Sequence, residues 1–296
     1  LSTLSLGSIV TTINPSYTVA EIGQQVDRTQ SSYAFADCDA IPLLTNTGTR
    51  LVFLLDRDGD GSVYRLTDSP PLVTFELLLL VFREKSRNEV DQDSPLSCAQ
   101  TAFVLFSSGT TGRPKGVDLV HSGFVFQFAS PGCGFGDIMS SIFPCFHIAG
   151  IYVALRSLSY GGCVITWRSF VLEQFLADSK AYGATVLGVT PPVARLLARD
   201  PSVDTFMPFP ALVAIGSASA ALSQEVALQV SARFRLTVPM ALNTFGMTEM
   251  TGTISRPGVT PGSVGFLNAG VCAKIVDPAT VDAIAAGCEG EMCLRS

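Results

Sequence analysis

Twelve residues, 106–117, read Phe-Ser-Ser-Gly-Thr-Thr-Gly-Arg-Pro-Lys-Gly-Val and limit what this chain can fold into more than any other stretch. The residues before them, 101–105, are apolar and β-prone, which predicts a buried strand running into a loop. Within the loop the hydroxyl pairs Ser107/Ser108 and Thr110/Thr111 alternate with Gly109 and Gly112, so the backbone can turn tightly and aim its N–H groups at an anion. Pro114 stiffens the exit, and Lys115 brings a mobile positive charge to phosphate oxygens. Such a loop suits the end of a strand in an α/β sheet, where polar ligands commonly bind. The common nucleotidase pattern, Gly-x-x-x-x-Gly-Lys-Ser/Thr, does not fit. Counted from Gly109, Pro114 takes the place of the second Gly and Gly116 that of the magnesium-binding hydroxyl.

The chain has enough apolar material to scaffold such a loop. Hydrophobic residues make up 47% of its 296 residues and charged ones 15%, so most of it is packed interior, in one large domain or two smaller ones. A formal net charge of -6 provides no broad basic field for nucleic acid or anionic membrane, and any polyanion has to be held locally. The longest apolar run, residues 77–82, is too short to span a bilayer, which takes about 18 residues. Eight cysteines without a Cys-x-x-Cys spacing read as reduced, mostly buried thiols of an intracellular protein. The chain begins at Leu1 with neither an initiator Met nor a signal-peptide pattern, which suggests that a segment precedes it.

Upstream of the loop, residues 4–13 are apolar and β-branched and end at the Asn14-Pro15 reversal. Thr18 and Glu21 spell a capping box for a helix to about Arg28, with Val19, Ile22 and Val26 on one face. Strands follow at 33–36 and 50–55. The segment Asp56-Arg57-Asp58-Gly59-Asp60-Gly61 alternates carboxylates like a calcium loop, but Thr67 stands at the twelfth position instead of a bidentate Glu, and a solvated turn is the better reading. Residues 77–82 suit a buried strand or helix, and 83–95 a charged surface connection.

Downstream, helices are expected at 151–158, 172–182, 193–198 (opened by Pro191-Pro192) and 223–234, and strands at 163–167, 185–189 and 211–215. That alternation argues for a mainly parallel sheet covered by helices. Three further segments stand out. Residues 143–150, Phe-Pro-Cys-Phe-His-Ile-Ala-Gly, carry His147. The small residues of 216–222, among them Ser219, admit the close approach of an adenosine or acyl chain. Residues 243–249, Asn-Thr-Phe-Gly-Met-Thr-Glu, combine a ring for stacking, a hydroxyl for an anion and a carboxylate for a hard cation. His121, just after the loop, reads as structural, and residues 261–295 read as β-rich.

These motifs, in this order, resemble the adenylate-forming superfamily of acyl- and aryl-CoA ligases, luciferases and peptide-synthetase adenylation domains. Residues 9–22 and the final heptad 290–296, Gly-Glu-Met-Cys-Leu-Arg-Ser, are similar in particular to plant 4-coumarate:CoA ligase-like acyl-CoA synthetases of the phenylpropanoid type. The resemblance implies an α/β fold: the large N-terminal domain of the adenylate-forming fold, with helix-covered, mainly parallel sheets and a β-barrel-like end, lacking the small C-terminal domain. Residues 1–296 would then be an AMP-binding (adenylation) domain, incomplete at both ends.

The same resemblance implies ATP, Mg2+ and CoA as cofactor and co-substrates of a carboxylic acid:CoA ligase. The acid attacks the α-phosphorus of ATP, pyrophosphate leaves, and the acyl group passes to CoA. Lys115, His147, Thr248 and Glu249 would be the catalytic residues. Ser107, Ser108, Gly109, Thr110, Thr111, Gly112 and Lys115 would hold the β- and γ-phosphates, and Ser219, Asn243, Thr244, Phe245, Gly246 and Thr248 the rest of the nucleotide. Phe245 would stack on adenine, Thr248 meet the α-phosphate, His147 orient the carboxylate and Glu249 hold magnesium. Departures from the pattern are Phe245 for Tyr, Asn243-Thr244 for Gln-Gly, Ala218 and Ala221 for Gly and Pro, and Arg168-Ser169 where a basic residue commonly contacts CoA. A ribose-gripping Asp, a hinge and a catalytic Lys of the family would lie beyond Ser296, so a non-catalytic nucleotide- or acid-binding remnant is the competing expectation. Hydroxycinnamate, fatty-acid and jasmonate-precursor ligases share these motifs. The expected location is cytoplasmic, or peroxisomal if a sorting signal follows.

Overall fold

In the computed structural model, which describes residues 2–5, 7–44, 47, 49, 51–54, 72–74, 97–107, 114–129, 136–236, 242–256, 258 and 263–295, internal contacts divide the chain into residues 1–121 and 122–296. The first unit contains α1 (Ser2–Ser5), β1 (Val10–Thr11), α2 (Val19–Thr29), β2 (Tyr33–Ala36), α3 (Ile41–Leu44), β3 (Leu51–Leu54), β4 (Leu72–Thr74), β5 (Thr101–Ser107) and β6 (Lys115–Val120). Only residues 10–11 of the apolar opening segment are strand, because its β-branched residues gather at 9–13 and residues 2–5 coil into a turn of helix instead.

The capping box forms. Thr18 Oγ1 accepts the Glu21 N–H at 3.4 Å, and the Glu21 carboxylate accepts the Thr18 N–H at 2.7 Å and the Thr18 hydroxyl at 2.8 Å, two bonds that hold the Glu21 carboxyl below its usual pKa. Ile22 and Val26 are buried as expected, but Val19 is 46% exposed, since the packed stripe starts one turn later and takes in Gln25. The Gln25 amide donates to Thr11 Oγ1 at 3.0 Å and the Thr12 carbonyl at 2.8 Å, fastening α2 to β1. Parallel β1–β5 and antiparallel β5–β6 make one sheet, and parallel β2–β3–β4 another. The calcium-like stretch 56–61, the apolar run 77–82 and the connection 83–95 lie outside the described residues.

Across the division comes α4 (His121–Ala129), followed by β7 (Ile138–Ser141), α5 (Ile148–Ser159), β8 (Cys163–Ile165), α6 (Leu172–Ala181), β9 (Val186–Val189), α7 (Pro191–Arg199), β10 (Ala214–Ser217), α8 (Gln224–Arg233) and β11 (Leu242–Asn243). The five strands form one sheet in the order β11-β10-β9-β7-β8, every neighbouring pair parallel. The strand expected at 211–215 begins at 214, because the Val213 and Ala214 N–H groups both bond the Thr185 carbonyl and the regular ladder starts only after them. From β7 the chain steps outward to β8, then crosses back over β7 to β9. Right-handed crossovers therefore place α5 on one face and α6, α7 and α8 on the other. Phe175 and Leu176 of α6, Ala194 and Leu197 of α7 and Val230 of α8 share a core with Leu187, Val189 and Ile215 of the sheet, all fully buried. At about 1.5–3 kcal/mol for each large apolar side chain, this core is the main stabiliser of the second unit.

The β-rich close consists of three antiparallel pairs: β12 (Gly246–Met247) with β13 (Gly252–Thr253), β14 (Ser255–Arg256) with β15 (Phe266–Leu267), and β16 (Cys272–Val276) with β17 (Glu291–Arg295). The expectation of buried thiols fails. Cys98, Cys145, Cys163, Cys272 and Cys288 are exposed and Cys293 is half-buried, since they lie on turns and outer strands rather than on the core faces, and all are free. No helix among the described residues is long and apolar enough to cross a membrane.

Candidate functional site

In the first unit, the phosphate-loop motif joins two antiparallel strands. Ala102, Phe103 and Leu105 bury β5, and Ser107 at its end stands directly opposite Lys115, the exposed first residue of β6. The Arg28 guanidinium donates to the Pro114 carbonyl at 2.6 Å, which pins the exit of the loop to α2. Ser108, Gly109, Thr110, Thr111 and Gly112 lie outside the described residues.

In the second unit, the polar motifs follow the carboxyl ends of β7, β10 and β11 of the parallel sheet. Because β7 and β9 send their chains in opposite directions along the sheet, the edge between them is a topological switch point, where a crevice opens in α/β sheets. His147 ends the loop leaving β7. It is the exposed N-cap of α5, and its Nδ1 accepts the Ala149 N–H at 3.2 Å. An accepting Nδ1 requires a neutral ring with its proton on Nε2. In agreement, partial desolvation of the imidazole holds the His147 pKa below 6.5. Gly150 makes this geometry possible. A Cβ there would overlap the Pro144 carbonyl oxygen and come within 2.7 Å of the Phe143 carbonyl oxygen, so only glycine lets α5 start this close to the loop.

Beyond β9 on that edge, Ser219 follows β10 and Asn243 ends β11. Ser219 is exposed, with φ at 78°, just after β10. Asn243 pairs with Ser217, and the Thr244 N–H donates to the Ser217 carbonyl at 3.2 Å. Phe245 is half-buried, with its N–H on Ser255 Oγ at 2.8 Å and its carbonyl on the Ile254 N–H at 2.9 Å. Gly246 then pairs with Thr253 so closely that a Cβ would lie 3.0 Å from the Thr253 Cα. Thr248, 7% exposed, and Glu249, exposed, occupy a single 3-10 turn, Thr248–Met250. The β7 and β10 ends are two strands apart, about 10 Å by ordinary strand spacing. Lys115 and Ser107 belong to the first unit; His147, Ser219 and residues 243–249 belong to the second.

Three supporting residues escape a motif search. The buried Gln127 donates to the Met250 carbonyl at 2.9 Å, Tyr152 accepts from Thr253 Oγ1 at 3.2 Å, and Arg156 donates to the Gln127 carbonyl at 2.5 Å. The available signal was the spacing Tyr152, Arg156, Tyr160: a lone charge with an aromatic one turn to either side in an otherwise apolar helix. His121, read as structural, starts α4, and its buried Nε2 has no partner among the described residues.

Among the described residues no three His, Cys, Asp or Glu side chains cluster as a metal site. Glu249 fits magnesium in a different way, as one exposed carboxylate on a turn, because that ion is commonly held by one or two carboxylates together with substrate phosphates and water.

The AMP-binding enzyme family matches residues 1–296. The 4-coumarate--CoA ligase-like 9 of Arabidopsis thaliana is 27% identical over 310 residues, covering all of this chain and 51% of the relative. The peroxisomal OPC-8:0-CoA ligase 1 of the same plant is 29% identical over 315 residues, covering all of this chain and 54% of the relative. The chain thus spans about half the length of the curated relatives it matches. ATP-bound MatB from Rhodopseudomonas palustris superposes with a TM-score of 0.76 at 24% identity, covering 99% of this chain and 56% of that one, a likeness of fold. With its α/β architecture, its parallel-sheet edge and a family match over its whole length, the chain belongs to the AMP-binding enzyme family.

Proposed function

We propose that this chain is the AMP-binding domain of an ATP-dependent carboxylic acid:CoA ligase of the 4-coumarate:CoA ligase-like type, working through an acyl-adenylate with release of pyrophosphate. The observation that carries the reading is the single sheet edge from which His147, Ser219 and residues 243–249 all emerge, beside a switch point. Neutral His147 would donate its Nε2 proton to the substrate carboxylate and hold it in line with the α-phosphorus. Phe245 offers a half-buried ring for adenine, with its backbone fixed at both N–H and carbonyl. Thr248 offers a hydroxyl sheltered from bulk water, where a donor to an anion competes least with solvent. Ser107, Ser108, Gly109, Thr110, Thr111, Gly112 and Lys115 would hold the leaving phosphates. Glu249 would hold magnesium, which when bound neutralises phosphate charge. CoA is the acyl acceptor, and no side chain is needed as a covalent nucleophile.

ATP–pyrophosphate exchange, run with hydroxycinnamates, fatty acids and an OPC-8:0-type acid, tests the reading and identifies the acid. In a complete protein, Lys115→Met and Glu249→Gln should each lower exchange about 100- to 1,000-fold; near-normal exchange in either variant sinks its role. Coverage of about half of each relative favours a second expectation, that these 296 residues alone bind nucleotide but form little acyl-CoA. Robust acyl-CoA formation by them would overturn it. A cytoplasmic or peroxisomal site of action is part of the same proposal, the latter prompted by the peroxisomal relative.

A further inference from the structure

Arg156 is the one cation in the apolar helix α5, and it is 3% exposed. A guanidinium tolerates such burial only with partners that replace water. The Tyr152 and Tyr160 rings lie 5.8 and 5.3 Å from its central carbon. Its Nη1 donates to the Gln127 carbonyl, and the Tyr160 hydroxyl donates to the Phe128 carbonyl at 2.6 Å. Both carbonyls belong to the last turn of α4, where helical partners run out and the helix dipole favours a cation. Arg156 thus caps a neighbouring helix.

That helix in turn holds the Thr248–Met250 turn. Gln127, 1% exposed, gives its amide N–H to the Met250 carbonyl, while its Oε1 has no partner among the described residues. One turn earlier, Gly123 admits Thr251, since a Cβ at 123 would come within 2.6 Å of Thr251 Oγ1. From the other side Tyr152 of α5 bonds Thr253, and its ring lies against Gly252. The turn and the strand after it therefore sit between α4 and α5, and Arg156 ties those two helices together.

We propose that Arg156 is a positioning residue for this turn: it fixes the end of α4, and through Gln127 it sets where Thr248 and Glu249 are presented. The inference rests on the nucleotide reading of those two residues. Arg156 itself touches no reacting atom.

Hydrogen exchange of the intact chain, read by mass spectrometry, tests the positioning without requiring activity. The Thr251 N–H bonds the Thr248 carbonyl at 3.0 Å and reports on the turn. Gln127→Leu is nearly isosteric and removes the donor together with the partnerless acceptor, so the fold should survive. Arg156→Lys keeps the charge and loses the planar fork. Both should speed exchange over residues 248–251 about five-fold and leave β9 and β10 unchanged. Both should also raise the half-saturating MgATP in equilibrium binding, with the double variant no worse than the sum of the singles. Unchanged exchange at 248–251 in both variants overturns the positioning. Faster exchange there with unaltered half-saturation overturns its link to nucleotide. A wild-type chain that neither binds nor turns over MgATP refutes the proposed function, and the hydrogen-exchange result still decides the positioning.

Discussion

The five-stranded parallel sheet and the three antiparallel pairs after it solve the problem of burial in opposite ways, although both belong to the second unit. Leu187, Val189 and Ile215 are fully buried, because strands joined by crossover helices are covered on both faces. In the antiparallel pairs, Phe266 is 61% exposed, and Leu267 and Met292 are exposed as well. The segment 243–249 runs from one regime into the other. Asn243 and Thr244 are held by the sheet through Ser217, whereas Gly246 and Met247 are already exposed on an antiparallel pair. The sheet therefore fixes the Asn243–Thr244 side of the candidate site, while the turn that carries Thr248 and Glu249 depends on polar contacts from α4 and α5.

That contrast predicts that equivalent truncations separate widely. Phe175→Ala empties a site in the shared core and should cost about 3–5 kcal/mol. Phe266→Ala removes a ring that lies mostly in solvent, with the Arg256 guanidinium 6.0 Å from its centre, and should cost less than about 1 kcal/mol. Urea unfolding measures both, and similar losses would erase the distinction. A smaller effect sharpens it at the site. Gly150→Ala forces the 143–147 loop away from the first turn of α5, which should cost about 1–3 kcal/mol and displace His147. A crystal structure of this variant with the Ala149–His147 bond intact would contradict that account.

The same contrast explains what the sequence made legible. Apolar runs and amphipathic helices located most of the sheet to within a few residues, since its central strands are buried and its covering helices each carry a packed face. The capping box at Thr18 and Glu21 was readable because it is a local contact. The two-residue strands β12 to β15 carry too few positions for a period to show. Exposed Cys163 and Cys272 defeated an expectation drawn from cysteine's average burial. The site motifs were legible by their residue types, but their supports were not. The link from Arg156 to Gln127 to Met250 joins residues 29 and 123 positions apart, so each side chain explains itself only once folding has brought in the other.

The smallest effect concerns the protonation of His147. Its folded pKa lies below 6.5 because the imidazole is partly desolvated, and its Nδ1 already accepts a hydrogen bond. Above pH 6.5 folded and unfolded chains both keep this ring neutral, and it adds no pH dependence. As pH falls through 6.5 the unfolded chain takes up a proton that the folded chain resists, so stability declines until the folded pKa is passed. The carboxyls of Glu21, Asp178, Asp200 and Asp204 are also held low, below 4.5 for Glu21 and below 3.8 for the three Asp, by the hydrogen bonds they accept, so the stability they add is lost only at lower pH. His147→Asn keeps an N-cap acceptor for Ala149 and removes the titration. Urea unfolding at pH 7.5 and 5.5 should therefore show a smaller drop in the variant than in the parent. Because His121 is the only other histidine, an equal drop in both proteins would mean that the neutral ring at position 147 is not what holds the start of α5.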